Sequence, residues 1–85
     1  MSVATRPTVP EVMPLVKAIY RRHSGGCCLH IVTDDGNVEN GHVDFCLRRS
    51  RELGHADCIE VAEMLTLMTQ TQRLKVGDLM TGFRL

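Results

Sequence analysis

The sequence predicts a small, mostly α-helical protein, a bundle of three to four helices with one short extended segment at residues 27–33. Two observations predict this fold class. Apolar residues recur through most of the chain at the spacing of one helix face. Residues that start and stop helices divide these stretches from one another. With 85 residues, the chain is expected to form a single domain, residues 1–85.

The first helix is predicted to follow a loose N-terminal tail, residues 1–7. Thr8 and Glu11 stand three residues apart, as in a capping box. Pro14 comes late for a first turn, so the regular helix is expected to begin around Met13. A Ser-Gly-Gly run ends this helix. Its apolar stripe consists of Leu15, Val16, Ile19 and Tyr20.

The extended segment comes next. Residues 27–33 are short, apolar and partly β-branched, a composition typical of an extended buried segment. The run Asp34-Asp35-Gly36-Asn37 after it is a strong turn signal. We interpret His30, Asp34, Asp35 and Asn37 as a structural turn or a recognition segment, in which the histidine and one aspartate make internal hydrogen bonds.

Two longer helices follow the turn. The second helix is predicted over about residues 41–53, with Asn40 as its cap and Gly54 at its end. The third helix, about residues 58–68, is predicted to begin with a capping box from Asp57 to Glu60. It is apolar almost all round, which is typical of a helix that is central to a fold or buried in an interface.

A short fourth helix is predicted from the capping run Thr69–Gln72 to Gly77. The remaining residues, 78–85, form an apolar tail that is expected to fold back or to contact another chain. The tail and the third helix together predict a partner-binding surface. Its predicted members are Met64, Leu67, Met68 and Phe83.

Charge and composition argue against several classes of function. Ten basic and ten acidic residues cancel, so no overall positive field attracts nucleic acid or anionic membranes. No stretch has the roughly 18 apolar residues of a membrane span, and the first residues lack the apolar core of a signal peptide. We therefore expect a cytoplasmic protein whose cysteines are reduced, with disulfides the least favoured state.

The cysteines and histidines raise a zinc hypothesis. No cofactor is the first expectation, and the alternative is a small structural zinc domain, because thiolates and imidazoles suit tetrahedral zinc. The spacings match no common zinc-finger pattern, and cysteine is also an ordinary small core residue. The candidate ligands are Cys28, His30, His42, Cys46 and Cys58.

A cysteine nucleophile is a weaker hypothesis. Cys58 is predicted in the first turn of a helix, three residues after His55, and both features activate a thiol. Catalysis also needs an oxyanion site and a cleft, for which a short helical chain has little room. We expect no enzymatic activity.

Nucleic-acid binding is a second alternative. The third and fourth helices are joined at Thr69 in a way that permits a helix-turn-helix, but the turn lacks the usual glycine. A weak nucleic-acid-binding regulator would have few cations to use. They are Arg48, Arg49, Arg51, Arg73 and Lys75.

One stretch resembles a pattern found in small proteins of unknown function from tailed bacteriophages and prophages. The pattern is roughly Leu-His-Ile-Val-x-Asp-Asp-x-Asn, then a helix, then a helix that ends in a Gln-Arg pair. The resemblance covers about residues 20–73. The matching positions are Leu29, His30, Ile31, Val32, Asp34, Asp35, Asn37, Val43, Phe45, Cys46, Gln72 and Arg73.

The resemblance implies a setting and no mechanism. Small phage proteins without enzymatic features often act by binding, for example by blocking a host defence complex. The resemblance therefore implies an accessory protein that lies in the host cytoplasm and binds a host protein. That partner would be, for example, a defence component that the chain inhibits as an anti-CRISPR protein does. The apolar third helix and tail add the expectation of a homo-oligomer.

Overall fold

The computed structural model of the chain describes residues 6–23, 29–34 and 36–84. Four long helices and one short helix lie within them, which confirms the predicted mostly α-helical bundle. α3 and α4 pack as a hairpin, α1 lies against α4 and α5, and α2 contacts α3 and α5. The helices are α1 Val9–Arg22, α2 His30–Thr33, α3 Asn40–Leu53, α4 Ala56–Leu67 and α5 Gln70–Arg84.

The core is aliphatic and receives side chains from every helix. Burial of this apolar surface is the main force that holds the helices together. Its fully buried members include Val12, Val16, Ile19, Leu29, Val32, Val43, Cys46, Cys58, Val61, Leu65, Val76 and Met80.

The prediction of an extended segment at residues 27–33 is wrong over its described part, 29–33. Here the chain makes a helical turn, in which the N–H of Thr33 donates to the carbonyl of Leu29 at 3.0 Å. The turn buries Leu29 and Val32 on one side, because residues three apart share a helix face. This packing outweighs the β preference of the branched side chains. Cys27 and Cys28 lie outside the described residues.

The capping box predicted at the start of α1 is confirmed. The Thr8 hydroxyl accepts the N–H of Glu11 at 3.3 Å, and the Glu11 carboxylate accepts the N–H of Thr8 at 2.7 Å. The helix begins at Val9, so the expected start around Met13 is wrong. Pro10 fits the first turn because the N–H that it lacks has no partner there.

The loose tail predicted for residues 1–7 is wrong for its last two residues, while residues 1–5 lie outside the described part of the chain. Arg6 donates from Nε to the carbonyl of Leu67 at 2.9 Å. The carbonyl of Pro7 accepts from the Gln72 side chain at 3.1 Å. These contacts fix the entry of α1 against the end of α4 and the start of α5.

The capping box predicted from Asp57 to Glu60 is wrong. α4 begins at Ala56 with His55 as its N-cap, so Asp57 lies inside the first turn. Its carboxylate accepts the N–H of Cys58 at 2.8 Å and also contacts α1. An acidic group here still complements the helix dipole.

The predicted boundaries of the next helices have a similar outcome. α3 has Glu39 as its N-cap and Asn40 as its first residue, so the predicted Asn40 cap is displaced by one position. Gly54 ends α3 as predicted, at a positive φ of 71° that favours glycine. The run Thr69–Gln72 forms the predicted cap, because the Thr69 hydroxyl accepts the Gln72 N–H at 3.1 Å.

Gly77 does not end a helix, which corrects the prediction of a separate tail at residues 78–85. α5 continues through Gly77 to Arg84, and Leu85 lies outside the described residues. A Cβ at position 77 would lie 3.3 Å from the carbonyl oxygen of Val32 and 3.4 Å from that of Thr33. The glycine therefore permits the close packing of α5 on α2.

Arg73 is the central polar residue of the fold and is only 2% exposed. Its guanidinium donates to the carbonyl of Leu65 at 2.8 Å and to that of Val38 at 2.7 Å. It also donates to the Asn40 side chain at 2.9 Å and to the Thr66 carbonyl at 3.3 Å. One side chain of α5 thus joins the end of α4 to the start of α3.

Candidate functional site

The junction between α1 and α4 carries the chemistry-bearing side chains that stand out in the structure. The two helices run antiparallel, because His23 at the end of α1 meets Asp57 at the start of α4, while Arg6 before α1 bonds to Leu67 at the end of α4. The polar end of the junction holds two histidines, an aspartate and a cysteine. Its other part is an apolar groove.

The polar end brings together residues from two helix termini. His23 is the C-cap of α1 and His55 is the N-cap of α4. Their imidazole rings stack, with centroids 4.7 Å apart and planes 25° apart. Cys58 follows His55 by three residues, so it lies on the same side of the first turn. One donor atom from each of these three residues lies within 4.8 Å of the other two.

Asp57 holds the His23 ring. The carboxylate oxygens lie 3.2 and 3.4 Å from His23 Nε2, and the Nε of Arg22 lies 3.4 Å from Oδ2. Burial acts to raise the pKa of Asp57, but the N–H of Cys58 and the interactions with His23 and Arg22 together lower it below its ordinary value. Asp57 is therefore an anion at neutral pH.

His55 has a buried ring nitrogen with an unmet bonding capacity. Its Nδ1 has no hydrogen-bond partner among the described residues. A buried polar atom without a partner costs about 1–3 kcal/mol. A hydrogen-bond donor or a metal ion that binds this nitrogen would remove the cost.

Cys58 is fully buried and is bonded in a disulfide. This overturns the expectation that its sulfur is a reduced thiol. In the disulfide, Cys58 is neither a nucleophile nor a strong metal ligand, since both roles need the thiolate.

The apolar part of the junction is a groove along α1 and α4. Near the polar end it contains a cleft of about 210 Å³. Met64 and Leu67 lie farther along the α4 face that carries Glu60, at four and seven residues from it. Leu67 is 58% exposed, the most exposed of the large apolar side chains that the structure describes. The cleft is lined by Leu15, Ala18, Ile19, Arg22, Asp57, Glu60 and Val61.

The four predicted partner-binding residues do not share one surface. Met64 is half-buried against the core and Leu67 is exposed, and both lie along the α4 face that carries Glu60. Met68 is buried in the core at 4% exposure. Phe83 is half-buried on α5, where Lys17 Nζ and Arg21 Cζ lie 5.7 and 5.4 Å from its ring centroid.

The predicted turn residues have different environments. Asp34 accepts a hydrogen bond from the Tyr20 hydroxyl at 2.5 Å, and Thr33 contacts the same hydroxyl. The aspartate therefore makes the internal contact that the turn interpretation expects. His30 is exposed, Asn37 is half-buried, and Asp35 lies outside the described residues.

The four described members of the ligand set predicted for zinc do not come together in one site. Cys28 lies outside the described residues. His30 is exposed, and His42 is also exposed, with its Nε2 3.7 Å from Glu39. Cys46 is fully buried in the core. The group of metal-binding side chains among the described residues instead contains His23, His55 and Cys58.

The cations proposed for nucleic-acid binding are largely engaged. Arg73 is buried. It lines a cleft of about 430 Å³, but its guanidinium is already bonded to four acceptors within the protein. On α3, Arg48, Arg49 and Arg51 lie 3.8, 3.0 and 3.4 Å from carboxylates. This leaves Lys75 as the exposed cation of the predicted set without an ion pair among the described residues.

Comparison with known proteins identifies no relative. No family model, no curated protein and no solved structure matches the chain. Within the described residues, no helix has the length and apolar character needed to cross a membrane.

Sequence reasoning missed the pairing of His23 with His55. The two histidines are 32 positions apart, and nothing local links them. The available signal was their placement, since each lies beside a predicted helix end. Two helix ends that carry ligand-type side chains can meet when the helices are antiparallel neighbours.

Proposed function

We propose that this chain is a non-catalytic, phage-type accessory protein that acts by docking a protein partner on the groove between α1 and α4. The exposure of Leu67 supports this proposal most directly. A leucine that is 58% exposed leaves apolar surface in contact with water, which is unfavourable in free energy. Its burial by a partner would recover part of that energy.

The groove has the composition of a docking site. Leu15 and Ala18 provide apolar walls in the cleft, and Met64 lies farther along the α4 face that carries Glu60. Asp57 and Glu60 give its polar end a negative charge that Arg22 only partly balances. A partner segment with apolar side chains and one or two basic residues would complement this arrangement.

The partner class follows from the resemblance to small phage proteins. We propose a component of a host defence complex, inhibited by occlusion of one of its surfaces. A second copy of the chain is a further candidate for the same groove, which would make the protein a homo-oligomer.

The test compares Leu67→Gln with a matched control. Leu53→Gln changes an equally apolar side chain, 42% exposed, at the end of α3. Light scattering across a concentration series measures self-association of the wild type and both variants. Quantitative capture from a phage-sensitive host then identifies proteins held by the wild type and by Leu53→Gln but lost with Leu67→Gln.

The expected loss can be estimated from the area. Burial of the exposed part of Leu67 is worth about 1–2 kcal/mol. Its replacement should therefore weaken binding by about five- to thirtyfold. Binding that is equally strong in both variants, or equally weak, would contradict a role for the groove. Retention of binding in all variants together with loss of host-defence inhibition would contradict the mechanism.

A further inference from the structure

A second possible site lies at the polar end of the α1–α4 junction and does not depend on the docking proposal. Two imidazoles and one sulfur converge there from two helices. Histidine nitrogen and cysteine thiolate are the preferred ligands of Zn²⁺. The donor atoms lie within 4.8 Å of one another, whereas the ligands of a tetrahedral zinc lie roughly 3.3–3.6 Å apart.

The adjustment needed to reach that geometry is small. The donor atoms must approach by about 1 Å, which rotation of side chains can supply. The imidazole planes are only 25° apart, and nearly parallel rings direct their lone pairs side by side. At least one ring must therefore turn about its Cβ–Cγ bond for both nitrogens to point at one ion.

Two independent features favour an ion at this position. The buried Nδ1 of His55 has no hydrogen-bond partner in the described part of the chain, and a metal ion would satisfy it. Asp57 holds one nitrogen of His23 and so orients the ring. A carboxylate behind a ligating histidine is the usual outer partner in zinc sites.

The cysteine makes the site dependent on redox state. Cys58 is bound in a disulfide and cannot supply a thiolate in that form. A dithiol reductant exchanges with the disulfide, gives up two electrons and two protons, and leaves two thiols and its own disulfide. The Cys58 thiol then releases its proton when it binds the ion.

We propose that the reduced chain binds one Zn²⁺ through His23, His55 and Cys58, with Asp57 as a positioning residue, and that oxidation of Cys58 releases the ion. The fourth coordination position belongs to water. The bound ion joins the end of α1 to the start of α4, so zinc stabilises the reduced fold and the disulfide replaces it under oxidising conditions.

The experiment uses the full chain and Co²⁺ as a spectroscopic substitute for zinc. Protein is reduced with excess dithiothreitol, desalted without oxygen and titrated with Co²⁺, then with Zn²⁺ as competitor. The expected result is one Co²⁺ per chain, a tetrahedral visible spectrum and a thiolate charge-transfer band. The oxidised chain should show neither spectral feature, and Zn²⁺ should raise the melting temperature of the reduced chain alone.

Variants assign the ligands. His23→Gln, His55→Gln and Cys58→Ser should each weaken binding by at least about 100-fold, and Asp57→Asn by about 10–100-fold with the spectrum retained. His42→Gln, an exposed histidine on α3, is the matched control and should bind normally. Far-UV circular dichroism checks that each variant is folded, and the partly exposed His23 decides the matter if His55→Gln unfolds.

Three results would overturn the proposal. The first is the absence of a tetrahedral Co²⁺ spectrum in the reduced wild type. The second is a thiolate band that survives in Cys58→Ser, which would assign the ion to other cysteines. The third is equal affinity of the oxidised and reduced chains.

Discussion

Replacement of Arg73 by methionine should remove a large share of the stability of this protein. The guanidinium is 2% exposed and donates to four acceptors from two parts of the chain. Burial lowers the pKa of Arg73, but the group remains a cation at neutral pH. Methionine keeps much of the side-chain volume and removes the donors and the charge.

The magnitude follows from what each acceptor loses. Val38 is buried, so the loss of its carbonyl's bond costs about 1–3 kcal/mol. The Leu65 carbonyl keeps a second donor, the N–H of Met68 at 3.1 Å. The acceptors on Thr66 and Asn40 border a cleft that water can enter. Loss of a cation at the end of α4 costs about another 1 kcal/mol.

The sum is a loss of about 2–4 kcal/mol. A chain of this length has a free energy of unfolding of roughly 4–13 kcal/mol, so the variant should be marginal. Urea unfolding followed by far-UV circular dichroism measures the difference. Arg73→Lys should lose about half as much, since an ammonium keeps the charge but reaches fewer acceptors.

Arg48→Met is the matched control. Arg48 is an exposed arginine on α3 whose Nε lies 3.8 Å from Asp44, and exposed pairs of this kind are worth little. Its replacement should change stability by less than about 0.5 kcal/mol. If Arg73→Met is within about 1 kcal/mol of the wild type at an unchanged urea dependence, the reasoning about the buried guanidinium is refuted.

Three further predictions concern local packing and charge. Gly82→Ala should stabilise α5 by about 0.5–1 kcal/mol, because nothing lies within 4 Å of the new Cβ. Gly77→Ala should stabilise the protein less, or destabilise it, because its new Cβ would press on the backbone of α2. Thermal melts of the two variants measure the difference. Equal stabilisation by the two substitutions would show that α2 moves away from the new Cβ at little cost, which would contradict the close packing at Gly77. Tyr20→Phe should lose about 1–2 kcal/mol and speed hydrogen exchange in α2, since the hydroxyl holds Thr33 and Asp34; unchanged exchange would contradict that role. Folding lowers the pKa of Asp57 below its ordinary value of 3.8, so its stabilising effect is present above that value and is lost as the pH falls through the folded pKa. The stability difference between the wild type and Asp57→Asn should therefore shrink below about pH 3.8, and a difference that persists in stronger acid would contradict the assignment.

Local signals in the sequence predicted local structure well. The caps at Thr8 and Thr69 were recognisable because a capping box involves residues only three positions apart. The Asp57 box failed because α4 begins at Ala56, so Asp57 lies in the first turn, where its carboxylate accepts the N–H of Cys58 and also contacts α1. A cap motif shows that the bond is possible, but tertiary contacts decide which partner the side chain takes.

Gly77 and Arg73 show what local patterns cannot supply. Gly77 has the sequence context of a helix end, yet its lack of a side chain permits contact with α2, some 45 residues earlier. In the sequence, Arg73 has the pattern of a surface cation. Its buried role depends on acceptors that are distant in sequence, two of which lie 33 and 35 positions away. The same distance in sequence hid the cluster of His23 and His55.

Five of the twelve residues that carry the resemblance to small phage proteins lie in the buried part of the fold. Leu29, Val32, Val43 and Cys46 are fully buried or nearly so, and Arg73 is the buried polar centre. Substitutions among them should chiefly report stability, so a functional screen of this motif would mistake unfolding for loss of activity.

Both proposed sites lie at positions outside the motif that carries the resemblance. The proposed groove depends on Leu67 and Met64, and the proposed ion site on His23, His55 and Cys58. Both lie along the same pair of antiparallel helices, α1 and α4, and Asp57 belongs to both, but they use different chemistry. Leu67→Gln should leave Co²⁺ binding intact, and His23→Gln should leave partner binding intact in the oxidised chain. Loss of both properties in either variant would show that the two sites are one structural unit, because a substitution at one end would then disturb the whole α1–α4 junction.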